Sequence, residues 1–242
     1  MDLKSKVVLV VGGASGIGRA TVELCAERGA TVILADIDQQ SGNQVAQSAH
    51  ARFMPVNVAE EDSVRALYAQ IDADYGHLDV LLHCAGILLG AYVPLADLAS
   101  ATFHNVWEIN TLGSFLSAKY AAPLLRKAGK GTIVLVSSAA ATGGSSSFAY
   151  GASKGGVHSL GITLANALAG DNIRVNVLAP GNIDTQMKRS VIAADVQRKG
   201  QPEEFEKAVA ASNLGTPQGM ARVLAWLASD DADYVRGVIA TR

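Results

Sequence analysis

Charge is scarce in this chain. Only 17% of its 242 residues are Asp, Glu, Lys or Arg, and the formal net charge is −2. That balance offers no basic surface for nucleic acid or for an anionic membrane. Cysteine is scarcer still. Cys25 and Cys84 stand alone, and neither belongs to a CxxC pair. A disulfide framework and a zinc site are both excluded on that spacing. Long apolar runs are missing too. The early run Val7–Val11 is short, lacks signal-peptide flanks, and nothing approaches the ~18–20 apolar residues of a membrane span. The expectation is a soluble, cytoplasmic protein with no nucleic-acid and no membrane partner.

What the chain does have is apolar bulk and glycine. Hydrophobic residues make up 49% of it, enough for one sizeable core. Short β-rich runs alternate with longer helical patterns. The strand candidates are 6–11, 31–36, 52–56, 78–83, 131–138, 173–179 and 235–240. Helical spacing covers 16–28, 39–49, 60–76, 101–127, 150–169 and 217–229. Alternation of this kind predicts an α/β fold. Its sheet is parallel and doubly wound, with about seven strands and helices on both faces. No repeat, linker or low-complexity tract interrupts it, so residues 1–242 read as a single domain. The polar stretch 186–213 shows no strand and is long enough to be a mobile substrate lid.

The first strand runs directly into VGGASGIG (11–18), in which Gly12, Gly16 and Gly18 have the spacing GxxxGxG. A strand that turns sharply into a helix, with no Cβ atoms in the way, presents free N–H groups to a pyrophosphate. Glycines alone also fit a turn with no ligand. Asp36 ends the second strand, 18 residues after Gly18. A carboxylate there accepts hydrogen bonds from ribose hydroxyls and repels a 2′-phosphate, which favours NAD over NADP.

Tyr150 and Lys154 stand four residues apart and share a face of a helix. A free phenol has a pKa of ~10, and a neighbouring ammonium would lower it toward use as an acid/base on an alcohol. A core tyrosine beside a surface lysine is the plainer reading of the pair by itself. The strand GTIVLVSS, however, ends in Ser137 and Ser138 at the sheet edge where open α/β proteins bind ligands.

Together these motifs resemble the short-chain dehydrogenase/reductase family over essentially the whole chain. VGGASGIG is similar to its TGxxxGxG turn and YGASK to its YxxxK motif. The SS pair, EIN at 108–110 and APGNIDT at 179–185 fall in family order. The resemblance implies a Rossmann-type sheet and a catalytic set of Asn110, Ser138, Tyr150 and Lys154. Tyr150 would be the acid/base, and Ser138 would hold and polarise the substrate oxygen. Lys154 would lower the phenol pKa and bind the nicotinamide ribose. Asn110 would hold a water linking Lys154 to solvent. Cofactor contacts are expected from Gly12, Ser15, Gly16, Ile17, Gly18, Asp36, Asn57, Val58, Ala85, Gly86, Tyr150, Lys154, Pro180, Gly181, Ile183 and Thr185. No metal is implied. The family is mostly tetrameric through two long helices, here near 101–127 and 150–169, so a homotetramer is expected. It also implies a glycine-containing tail after the last strand, where this sequence reads VIATR (238–242).

Several positions depart from the family pattern. Val11 replaces its threonine, Asn57 its aspartate near the adenine, and HCAG (83–86) its NNAG. His83 precedes the cofactor turn, which argues against a second acid/base. Ser138 lies 12 residues before Tyr150, one fewer than the common spacing, and Ser137 would restore it. Aligned from the strand's glycine, Ser138 remains the choice.

The expected activity is NAD-dependent interconversion of a secondary alcohol and a ketone. The alternative is a catalytically inactive NAD-binding sensor or interaction protein on the same fold. The expected pocket walls, 87–95 and 139–149, are apolar and small, which suits a mainly apolar substrate. Lys188 and Arg189 are candidates for a substrate carboxylate, although a solvated lid face is the preferred reading from sequence.

Overall fold

Strand β1 (Val7–Val11) is buried along its whole length. Leu9 and Val11 enter one hydrophobic core, while Val8 and Val10 enter another on the opposite face. That is the signature of a strand covered on both sides. Burying each such side chain fully contributes about 1.5–3 kcal/mol. The computed structural model describes residues 1–241. Its other strands are β2 (Thr31–Asp36), β3 (Arg52–Pro55), β4 (Val80–His83), β5 (Gly131–Val136), β6 (Ile173–Ala179) and β7 (Gly237–Ala240). All pair in parallel, in the order β3-β2-β1-β4-β5-β6-β7. Pro55 is tolerated because β3 lies at the sheet edge.

Helices α1 (Gly16–Glu27), α2 (Gln39–Ala49) and α10 (Pro217–Ala228) cover one face, through Val22, Val45 and Leu224 among others. Helices α3 (Glu61–Tyr75), α5 (Gly113–Lys127) and α7 (Phe148–Ala167) cover the other, through Ile71, Leu125 and Val157. The chain runs outward from β1 to β3, then returns to the other side of β1 as β4. That reversal opens a crevice at the C-terminal ends of the strands.

The expected helix over 101–127 is broken in two. Helix α4 (Ser100–Trp107) gives way to a π-helical turn at Glu108–Leu112 before α5 begins. The wider turn carries Asn110, which is fully buried. Ser114 closes the far side by donating its hydroxyl to the Asn110 carbonyl at 2.6 Å. Between β5 and α7 lies one short helix, α6 (Ala140–Gly143). The stretch 186–213 has no named strand, as expected, and is mostly helical: α8 (Gln186–Arg198) and α9 (Phe205–Ala211). No described helix is long and apolar enough to cross a membrane.

Candidate active site

The turn after β1 is built on two close backbone approaches. Gly12 has φ +80°, and a Cβ on it would stand 2.5 Å from the Ala85 backbone nitrogen. A Cβ on Gly18 would collide with the Gly12 carbonyl. Glycine is required at both places on steric grounds. The C-terminal end of β2 locks this turn. The Asp36 carboxylate accepts the Ala14 N–H at 2.9 Å and the Asp38 N–H at 3.0 Å. Asp36 also lines a large cavity.

That cavity, of about 740 Å³, follows the C-terminal edge of the sheet. It falls in the range usual for ligand sites, roughly 300–1,000 Å³. All sixteen positions expected to contact a cofactor line it, from Gly12 to Thr185. Asn57 is among them, but its side chain is committed elsewhere. It donates to Glu60 at 2.8 Å and accepts from the Ala59 N–H at 3.1 Å. Ile37, Ile109, Gln186 and Met187 also line the cavity, and the motif matching did not single them out. Ile37, which directly follows Asp36, is a large apolar side chain left mostly exposed at the cavity rim. That exposure was the only signal for it.

The four residues expected to act together do converge. Ser147 caps α7, accepting from the Tyr150 N–H at 3.2 Å, and donates its own hydroxyl to the Leu89 carbonyl at 2.6 Å. This fixes Tyr150 in the first turn of α7. The phenol is buried in the cavity wall, near enough to Ser138 for that hydroxyl to lower its pKa. Ser137 is spent differently, donating to the Lys154 carbonyl at 2.8 Å. The second serine of the pair is therefore the one that meets the tyrosine. Asn110 accepts the Ile87 N–H at 2.8 Å. It donates to the Ile87 carbonyl and to Ser153, each at 2.9 Å. Its side chain lies behind the cavity wall rather than in it. Gly86 leaves the space between Asn110 and Lys154, since a Cβ there would stand 3.1 Å from the Asn110 Oδ1 and from the Lys154 Nζ.

The electrostatics differ from the sequence expectation in one respect. Lys154 was expected to draw the phenol pKa down. Its Nζ donates to the Val136 carbonyl at 2.9 Å and lies 5.8 Å from the centre of the Tyr150 ring. At that separation burial dominates both groups. It pushes the phenol up, with the Ser138 hydroxyl pulling partly back, and it brings the Lys154 ammonium down to about 8.

The departures in HCAG have distinct places. His83 is sealed in the core, on the sheet face shared by its register neighbours Val11 and Leu135. Both ring nitrogens lack a hydrogen-bond partner, and burial, with help from the Lys154 charge, holds the imidazole down at about 3. It is neutral at physiological pH and does not line the cavity. Cys84 does line it, and burial pushes its thiol up to about 12. Among the described residues, no cluster of His, Cys, Asp and Glu could hold a metal ion.

The chain is similar to several known proteins. The family model described as "Enoyl-(Acyl carrier protein) reductase" matches residues 12–241. A cis-4-hydroxycyclohexanecarboxylate dehydrogenase from Sinomonas cyclohexanicum is 38% identical, over 97% of this chain and 93% of its own length. A 3-oxoacyl-[acyl-carrier-protein] reductase from Thermotoga maritima is 34% identical, over 99% of this chain and 96% of its own. The solved structure of levodione reductase superposes with a TM-score of 0.89 at 30% identity, covering 98% of this chain and 96% of that one. With a glycine turn, a serine-ended strand and a Tyr–Lys helix on one parallel sheet, this chain belongs to the short-chain dehydrogenase/reductase family of oxidoreductases.

Proposed function

We propose that this protein interconverts a secondary alcohol and its ketone with NAD as the hydride carrier, and that Tyr150 handles the proton. The observation that carries this reading is the Ser138–Tyr150 hydroxyl pair. It lies at the C-terminal edge of the sheet, in the wall of a cavity that also holds the glycine turn. Two neighbouring hydroxyls on one cavity wall suit one substrate oxygen, with Ser138 orienting it and Tyr150 giving or taking its proton. Lys154, buried behind them with its Nζ 5.8 Å from the Tyr150 ring centre, is placed to steady the charge that develops on the phenol during proton transfer, while at rest burial holds the phenol up. Asn110 holds the Ile87 backbone and Ser153, and through them the wall opposite.

The residues present fit a nicotinamide dinucleotide. Gly12 and Gly18 let the turn pack closely against Ala85 and onto itself, which sets the N-terminus of α1 at the cavity, and Lys154, Ile183 and Thr185 also line it. When bound, NAD would supply the hydride chemistry that no side chain here can perform. The choice of NAD over NADP rests on Asp36, whose carboxylate would repel a 2′-phosphate at the end of β2. A hydroxycyclohexane substrate class is supported by the Sinomonas relative's name and by the apolar wall at Ile87, Leu88 and Val191.

Turnover of alicyclic secondary alcohols, followed by cofactor absorbance with NAD and NADP in parallel, tests the reading. NAD-linked oxidation is the expected result. Tight NAD binding with no turnover of any alcohol or ketone would favour the sensor alternative. Assembly belongs to the same proposal. Trp107, Phe115 and Ile162 are exposed on α4, α5 and α7, and they would be covered by these helices in a second copy. A monomer in solution would refute the tetramer.

A further inference from the structure

The lid carries five cations, and four of them are matched. Arg189 forms a two-pronged pair with Asp184, at 2.7 and 2.9 Å. Arg198 and Lys199 share Asp195, at 2.8 and 2.6 Å, and Lys207 pairs with Glu204 at 3.1 Å. Lys188 has no carboxylate partner among the described residues and lines the cavity. Its backbone is fixed by the α8 cap, where Thr185 accepts its N–H at 3.3 Å. Val191, three residues on and therefore on the same helical face, lines the cavity as well. The first turn of α8 contains no acidic residue. A cation there sits at the unfavourable end of the helix dipole, and its nearest acidic neighbour in sequence, Asp184, is taken up by Arg189.

The far end of the lid is also held down. The Arg198 guanidinium stacks 4.9 Å from the centre of the Tyr92 ring, on the loop that follows β4. Tyr92 is itself tied across the cavity mouth, its N–H donating to the Ser146 carbonyl at 2.7 Å. Lys188 thus lines the cavity beside Met187 and Val191. The single acidic side chain among the described lining residues, Asp36, belongs to the opposite, ribose end.

We infer that Lys188 recognises a carboxylate on the substrate, so that the preferred class is a compact hydroxy acid or its keto acid. The carboxylate meets the lid while the carbinol meets Ser138 and Tyr150. This rests on the alcohol–ketone reading above for the carbinol alone. Lys188 is half-buried, and an ion pair that the bound substrate closes off from water discriminates, because the neutral analogue leaves the ammonium unmatched.

The test separates binding from turnover. Cyclohexanecarboxylate and cyclohexanecarboxamide both lack a carbinol and cannot react. Each is titrated calorimetrically into the NAD-loaded wild type, Lys188→Met and Lys188→Arg. The expected result is at least tenfold tighter binding of the acid than the amide in wild type. Lys188→Met should abolish that ratio, and Lys188→Arg should keep most of it. Equal affinities in wild type, or a ratio indifferent to Lys188→Met, overturn the inference. So does weaker NAD binding in Lys188→Met with the ratio unchanged, which would assign the lysine to the cofactor phosphates. Acid selectivity without turnover of any hydroxy acid would sink the alcohol–ketone reading and leave this site standing. Turnover without acid selectivity would do the reverse.

Discussion

Replacing His83 by asparagine removes a titration that the fold suppresses. In the native protein both ring nitrogens are buried without partners, and the imidazole is held down at about 3. In the unfolded chain it titrates near ~6.5. Below that value the unfolded state binds a proton that the native state refuses. Stability is therefore fully present above pH ~6.5 and falls on acidification until the native value near 3 is reached. Linkage between those two values gives a loss of about 2 kcal/mol from this residue between pH 7 and pH 5. An asparagine does not titrate, so His83→Asn should lose about 2 kcal/mol less than wild type over the same interval. Urea denaturation of both proteins at the two pH values measures this. Any pH-independent cost of the substitution, and the titration of the other histidines, cancels in the double difference. Equal losses in the two proteins would refute the reasoning and show that His83 can be protonated or solvated within the native state.

Three other outcomes follow from the same geometry. Lys154→Met should stabilise the fold at pH 7 by roughly 1–3 kcal/mol in denaturant melts while removing turnover. The native ammonium, brought down to about 8, is penalised at every pH below that, and the penalty is relieved only as pH rises from 8 toward the unfolded value. Gly12→Ala forces a Cβ against the Ala85 backbone at a positive φ, so a loss of about 3 kcal/mol and much weaker NAD binding are expected by melting and calorimetry. Asp36→Ala should weaken NAD by about 10–100-fold while NADP weakens less, since the carboxylate both supports the turn at Ala14 and opposes a 2′-phosphate. A parallel fall for both cofactors would mean that Asp36 serves only the turn.

Much of this was visible in the sequence because it is written in local patterns. Continuous apolar runs such as Val7–Val11 declare strands covered on both sides, and the structure has seven in the expected places. The glycine turn is equally legible, since only glycine survives where Gly12 and Gly18 meet backbone. The π-helical turn at Glu108–Leu112 was not legible. The apolar spacing of 101–127 passes through it smoothly, and only the burial of Asn110 in three dimensions calls for the wider turn. Spacing likewise left Ser137 and Ser138 in competition, and hydrogen bonding separates them: Ser137 is committed to the Lys154 carbonyl. The balance of charge was misread for a related reason. A Tyr–Lys pair at i,i+4 announces proximity, but it is silent on desolvation, which here outweighs the attraction. In α8, Arg189 pairs with Asp184, five residues back in sequence, which among the described residues leaves Lys188 without a carboxylate partner.

Tyr150→Phe tests the central claim most directly. The substitution removes one hydroxyl from a buried side chain in the cavity wall and leaves the ring in place. NAD affinity by calorimetry should stay within a few-fold of wild type, while turnover of the best secondary alcohol should fall by about 10²–10⁴-fold. A variant that binds NAD and oxidises the alcohol as fast as wild type would contradict the account.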